Sequence, residues 1–252
     1  MTEAQAFSLA VVVWCVIGAA VLPLLFFITA PYGRFARQGW GPTLPARSAW
    51  VLMESTSVVT TAVAFALGDR HEGVPLVFFV LWQSHYLYRA WVFPFLLGKG
   101  ARPMPLSVVA MGASFNLVNA YFNGRWLFSL SPEYAASWLT DPRFVVGVAL
   151  FVAGLATHLR ADQVLRNLRP KGETGYRIPY GGLYRYVSCP NYLGEMVEWA
   201  GFALATWSLP GLSFAFWTVA NLLPRAISSH RWYRSEFPDY PAERKAVIPF
   251  LL

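Results

Sequence analysis

The sequence predicts an all-α membrane protein of seven transmembrane helices, with its N-terminus outside and its C-terminus cytosolic. Composition, the spacing of apolar stretches and loop charge carry that reading. Of 252 residues, 56% are hydrophobic and only 13% charged, the profile of a multi-pass chain rather than a soluble domain. Apolar stretches are centred near residues 18, 57, 85, 116, 153, 199 and 219. Pro42, Pro45, Pro75, Pro105, Pro142, Pro190 and Pro210 lie in or near the breaks, where a missing N–H does least harm.

Residues 7–30 are nearly all apolar, and as a helix they would reach roughly 36 Å, enough to cross a bilayer. Glu3 is the only charge before them, so they read as a retained span rather than a signal peptide. The second predicted helix holds Glu54, with Ser57 and Thr61 on the same face. Gln83, His85, Tyr86 and Arg89 interrupt the third. An acid at mid-helix costs on the order of 3 kcal/mol on insertion scales, so an idle Glu54 is not expected. The plainer roles are a structural hydrogen bond for Glu54 and ordinary packing for His85 and Tyr86.

The last three helices carry polar stripes on one side of the membrane. The fifth ends with His158, Asp162, Arg166 and Arg169 on one face if it runs past the bilayer. The sixth opens with Asn191, Glu195 and Glu198, and the seventh carries Asn221, Arg225, Ser228, Ser229 and Trp232. Salt bridging between helices could explain some members. Arginines outnumber acids here, and the surplus charge suits an anion.

Loop charge sets the orientation. Arg34, Arg37 and Arg47 lie in the first loop, and Lys99 and Arg102 in the third. The fifth holds Arg160, Arg166, Arg169, Lys171, Arg177 and Arg185, and the tail adds Arg231, Arg234, Arg244 and Lys245. Alternate loops are poorer in Lys and Arg, which places the basic set in the cytosol. The net charge of +7 is spread over loops, which suits lipid headgroups and a phosphorylated cofactor, with no nucleic acid partner. Cys15 and Cys189 match no zinc or redox spacing. No metal is expected: HExxH and CxxC are missing, as are GxGxxG and a Walker loop, so any dinucleotide binds without a Rossmann domain. Residue chemistry alone stops at a membrane enzyme or carrier with a cytosol-facing anionic site.

The runs HLRADQVLRNLRPKGETGYRIPYGGLYRYVSCPNYLGEMVEWAGF and FPDYPAERKAVIPFLL, with TDPRF at Thr140, WVLMES around Glu54, SHYLYRA around Tyr86 and GARPMP, resemble the steroid 5α-reductase family, the membrane 3-oxo-steroid 4-dehydrogenases. CPNYLGE alone is shared with related reductases and isoprenylcysteine-type methyltransferases. Glu54, the His85–Tyr86 pair and the closing IPFLL point to the steroid branch. Met53 stands where animal members have a glutamine. Ser228–Ser229–His230 replaces a histidine-rich run, and the stretch NLLPRAISSHRWY is closer to plant members.

The resemblance implies one seven-helix domain over 1–252, with residues 1–130 mainly lining the substrate pocket and 140–252 mainly holding NADPH. Cofactor contacts carry onto Asp162, Arg169, Tyr176, Arg177, Asn191, Glu195, Arg225 and Tyr233. Glu54 and Tyr86 would hold the carbonyl of a 3-oxo-4-ene steroid entering from the bilayer. A monomer in contact with membrane lipids is expected, as a multi-pass protein of a bacterial inner membrane or the endoplasmic reticulum. Three other readings share parts of the pattern: a reductase of a polyprenol or enoyl thioester, an S-adenosylmethionine-dependent methyltransferase, and a non-enzymatic sterol or lipid carrier.

Overall fold

Proline marks where the helices begin. Pro142 and Pro190 open theirs, Pro75 and Pro210 take the second helical position, and Pro45 and Pro105 are N-caps. At these positions a missing N–H removes no intrahelical bond. The computed structural model describes residues 1–98, 100–168 and 175–252. Its helices are α1 (Glu3–Phe27), α2 (Ala46–Leu67), α3 (Val74–Leu87), the short α4 (Phe93–Leu96), α5 (Leu106–Arg125), α6 (Pro142–Asn167), α7 (Pro190–Thr206) and α8 (Leu209–Glu236). A π turn, Tyr88–Val92, continues α3 into α4, and together these make the third predicted helix. Helices α5 to α8 correspond to the predicted fourth to seventh, and α6 does run on through Arg166. The strands β1 (Thr43–Leu44) and β2 (Met104–Pro105) pair antiparallel, Thr43 opposite Pro105 and Leu44 opposite Met104.

Among the described residues, α1, α2 and α6 are long and apolar enough to cross a membrane. They expose rows of apolar side chains, including Val12, Val16, Val59, Val63, Val145 and Val152. A belt that wide on a water-facing surface would be unusual. The other long helices carry polar residues turned inward: Asn116, Asn119 and Asn123 on α5, Glu198 on α7, and Arg225 and Ser229 on α8. Mean hydropathy falls with each such residue although lipid never meets it.

The most extensive packing joins α6 to α7. Gly147 and Gly154 on α6 face Gly201 and Gly194 on α7, each spaced by seven residues. A Cβ on Gly154 would fall 2.6 Å from the Gly194 carbonyl oxygen, and one on Gly201 would fall 2.6 Å from that of Gly147. Small residues therefore let the two backbones touch. Helix α7 sits in the middle of the bundle, where Trp199 and Phe202 pack with Trp82, Phe78, Phe151 and Phe214 in the main core. Helix α1 docks on α8 through Gly18, which lies under Phe216 and Trp217.

The helix ends are tied in two groups. At one end Arg125 pairs with Glu3, Arg70 donates to Ser131, and Tyr134 and Trp138 donate to the carbonyls of Thr206 and Ala205. Asp141 caps α6, and the Arg143 guanidinium hydrogen-bonded to it holds its carboxyl down at about 2. At the other end the C-terminal segment closes over the loop before α7. Ser188 N–H donates to the Lys245 carbonyl and Cys189 N–H to that of Ala246, while Arg244 donates to the Pro179 carbonyl. His230 is bound here to the Ser188 hydroxyl at 2.7 Å, a structural contact. Burial pushes the Cys189 thiol up to about 11, as befits an inert packing group.

Candidate active site

The close α6–α7 contact brings ionisable side chains of both helices together in the interior. His158 lies 3.3 Å from Asp162, one turn on along α6. Its other ring nitrogen is 3.6 Å from Glu195 and 3.9 Å from Glu198 on α7. From α3, His85 Nδ1 is hydrogen-bonded to Glu198 at 2.8 Å. Asn191, at the start of α7, donates to Asp162 at 3.3 Å. His85, His158, Asp162 and Glu198 are all buried.

The π turn supplies the one guanidinium of this interior cluster among the described residues. Pro94 has no N–H to give the Ala90 carbonyl, and Phe93 N–H reaches five residues back to Tyr88. Arg89, in this turn and on the face of Trp82, His85 and Tyr86, points inward, where its Nη2 is 3.8 Å from Glu54 and its Nη1 3.9 Å from Asp162. Trp50 and Phe93 flank the guanidinium at 4.5 and 4.8 Å. Arg89 thus lies between Glu54, to which the resemblance gives a substrate role, and Asp162, to which it gives a cofactor role.

Glu54 and Tyr86 meet through Asn116. The amide of Asn116 donates to Glu54 at 3.0 Å and to the Met53 carbonyl at 2.9 Å, while the Tyr86 hydroxyl donates to Asn116 Oδ1 at a long 3.5 Å. The Tyr86 ring stacks on Trp82 at 5.2 Å, with Trp199 at 5.8 Å, so packing holds it whatever its hydroxyl does. Asn116 is a site residue that the sequence reading misses. Its signal was available, since Asn116, Asn119 and Asn123 lie on one face of α5.

A second, cationic group lies where α1, α7 and α8 meet the first loop. Arg225 is buried, stacks on Tyr32 at 3.7 Å, and donates to Tyr192 and to the carbonyls of Ala30 and Tyr32. Arg34 donates to the Tyr233 hydroxyl at 3.0 Å, and its Nη1 is buried with no hydrogen-bond partner among the described residues. Tyr176, Trp232 and Tyr233 surround that guanidinium at 5.4, 4.7 and 4.4 Å. Tyr176 and Tyr233, which only the resemblance singles out, therefore converge on one arginine. Arg34 and Arg225 have no carboxylate partner among the described residues. Arg177 is exposed, and Arg169 lies outside the described residues.

Metal ligation is a chemistry that the sequence spacing does not raise. Ligand atoms of His85, His158 and Glu198 all lie within 4.8 Å of one another and could hold an ion. These residues come from three helices, so no short motif could announce them.

An apolar helical bundle with ionisable groups in its interior and a cationic end defines the class: a membrane-associated helical protein with a polar interior site. The sequence profile of the family described as 3-oxo-5-alpha-steroid 4-dehydrogenase matches residues 102–252. The bovine (Bos taurus) 3-oxo-5-alpha-steroid 4-dehydrogenase 1 is 44% identical over 94% of each chain. The human enzyme of that name is 40% identical over 94% of this chain and 92% of its own. Steroid 5-alpha-reductase DET2 of Gossypium hirsutum is 43% identical over 90% of each. The chain belongs to this steroid dehydrogenase family and is an oxidoreductase acting on CH–CH groups. Overall identity does not separate the animal from the plant branch.

Proposed function

We propose that the protein reduces the C4–C5 double bond of 3-oxo-4-ene steroids to 5α-steroids, using NADPH. The observation that carries this reading is the meeting of Glu54 and Tyr86 at Asn116, next to the ionisable cluster of α6 and α7. A conjugated enone gains negative charge on its C3 oxygen as C5 is reduced. Donors aimed at that oxygen stabilise the enolate-like transition state, each by about 3 kcal/mol in a dry site. Tyr86 supplies one such donor, and Glu54 another if it carries a proton. C4 then takes a proton, from Tyr86 or water.

The cationic end fits a phosphorylated dinucleotide. Arg225 is buried and Arg34 half-buried, neither has a carboxylate partner among the described residues, and none of those residues hydrogen-bonds Arg34 Nη1. NADPH, when bound, would supply the hydride that C5 receives. Arg169, Arg177 and Arg225, joined by Arg34, would neutralise its phosphates. Asp162, Asn191 and Glu195 would orient its amide or ribose groups, with Tyr176 and Tyr233 packing beside them. Arg225 has a further task, since two of its donors anchor the first loop to α8 through the Ala30 and Tyr32 carbonyls and the third binds Tyr192 on α7.

The test is NADPH-dependent loss of enone absorbance from a 4-ene-3-one steroid, with the saturated product confirmed by mass. Protein that binds NADPH but reduces no such steroid would overturn the substrate assignment. Arg177→Ala should weaken NADPH binding roughly ten- to hundredfold, the loss expected of one charge-assisted contact of about 1.5–3 kcal/mol, and Asn191→Ala, which removes a neutral hydrogen bond, should weaken it less. Unchanged binding in both variants would count against the site.

Seven spans with the C-terminus in the cytosol complete the proposal, with the steroid entering a monomer laterally from the bilayer. The membrane would be a bacterial inner membrane or that of the endoplasmic reticulum. Reporter fusions after Leu252 and within residues 68–73 should land on opposite faces of the membrane. Both on one face would sink this topology.

A further inference from the structure

We propose that His85, His158 and Glu198 bind one divalent transition-metal ion of zinc type, which ties α3, α6 and α7 together inside the bundle. The inference goes beyond the proposed steroid reduction and does not depend on it. Ligand atoms of the three residues lie within 4.8 Å of one another, and all three side chains are buried. Zinc bonds of about 2.0–2.2 Å put two donors on one ion roughly 3–4 Å apart. The 3.9 Å between His158 Nδ1 and Glu198 Oε2 already falls in that range. His85 Nδ1 is hydrogen-bonded to Glu198 Oε1 at 2.8 Å, and metal binding replaces the shared proton of that pair.

Hydrogen-bonding needs, more than proximity, point to a cation. His158 Nε2 is 3.3 Å from the Asp162 carboxylate, which only accepts when ionised, so that ring nitrogen carries the proton. Nδ1 then turns a bare lone pair to the interior. It faces Glu195 Oε2 at 3.6 Å and Glu198 Oε2 at 3.9 Å, both acceptors and both too distant for a hydrogen bond. Among the described residues nothing hydrogen-bonds His158 Nδ1 or Glu198 Oε2, and both atoms are buried. Acceptors that converge in a packed interior repel one another, and each left unsatisfied carries a desolvation penalty. A cation between them removes both costs. Asp162 behind His158 is also the arrangement that orients a metal-bound imidazole and raises the basicity of its ligating nitrogen.

Charge favours the same ion. Glu54, Asp162, Glu195 and Glu198 surround a single guanidinium, that of Arg89, among the described residues. Neutral imidazoles do not offset that excess, whereas a divalent ion offsets most of it. Two nitrogens and a carboxylate suit zinc or a neighbouring transition ion; magnesium and calcium take oxygen ligands. Three protein donors leave a fourth position, for water or for Glu195.

The test uses the purified full chain in detergent, with neither steroid nor NADPH. Loaded with zinc and dialysed against metal-free buffer, it should retain one ion per chain by elemental analysis. Zinc at a hundred times its Kd should raise the thermal midpoint by roughly 5 °C or more. X-ray absorption of the zinc-loaded wild-type protein should show imidazole scattering, a readout that needs no variant. Glu198→Gln and His158→Gln should each lose the ion and the zinc-dependent rise in midpoint. Asp162→Asn, which removes the charge behind His158, should weaken zinc affinity about 10–100-fold. A wild-type protein that retains no zinc and shows no rise would overturn the site. Zinc retained in both variants, or held without imidazole, would mark an adventitious ion only and overturn it equally. Each of these outcomes leaves steroid reduction standing, and a protein that binds zinc but reduces no steroid keeps the site and loses that function.

Discussion

Replacing Tyr86 with Phe will lower steroid turnover on the order of a hundredfold and leave NADPH affinity nearly unchanged. The hydroxyl's contact with Asn116 is a long 3.5 Å, with Ser57 as its other neighbour, so its removal disturbs little. The aromatic ring stays clamped by Trp82 and Trp199. The loss therefore falls on the transition state, where charge grows on the C3 oxygen, and appears in kcat rather than in binding. Glu54→Ala should be equally severe in turnover, and it also leaves Arg89 with Asp162 as its remaining carboxylate within 4 Å. Glu54→Gln keeps a neutral donor and the Asn116 contact, and should retain more activity than Glu54→Ala. Single-turnover reduction of a 4-ene-3-one steroid measures both comparisons. A fully active Tyr86→Phe would overturn the mechanism, though not the family assignment.

Gly154→Val should destabilise the bundle by about 3 kcal/mol or more, the upper part of the range for overpacking. A Cβ there would meet the Glu198 backbone nitrogen, the Gly194 carbonyl oxygen at 2.6 Å and the Glu198 Cα at 2.7 Å. All three are backbone atoms, which cannot swing aside as a side chain would. The same substitution separates α6 from α7 where His158 faces Glu195 and Glu198, so activity should fall before unfolding is complete. Gly154→Ala should show the same pattern in weaker form. Thermal unfolding and turnover in detergent would reveal it. A Gly154→Val protein with the wild-type midpoint and rate would show that the helices are less tightly joined than the geometry requires.

Much of the architecture is legible without coordinates. Apolar runs and prolines are local signals, and the helices begin at Pro142 and Pro190 and next to Pro45, Pro75, Pro105 and Pro210 for that reason. The polar stripes are legible too, because side chains three, four and seven apart share a face. His158 with Asp162 and Glu195 with Glu198 do reach the same interior. Arg89 shows where such reasoning ends. Spacing puts it on the inward face with Trp82, His85 and Tyr86, but cannot say that its guanidinium would lie between Glu54 on α2 and Asp162 on α6.

The order of residues alone thus determines the helices, their prolines, the basic loops and the family. Tertiary structure decides who meets whom. It seats Asn116 between Glu54 and Tyr86, Glu198 between His85 and His158, and Arg34 among Tyr176, Trp232 and Tyr233. His85 and Glu198 are 113 positions apart, and Asn116 and Glu54 are 62. Periodicity fixes the angle of a side chain about its own helix axis. The depth at which two helices cross, and which faces meet there, come from contacts such as those of Gly147 and Gly154 with Gly201 and Gly194, which no single helix contains.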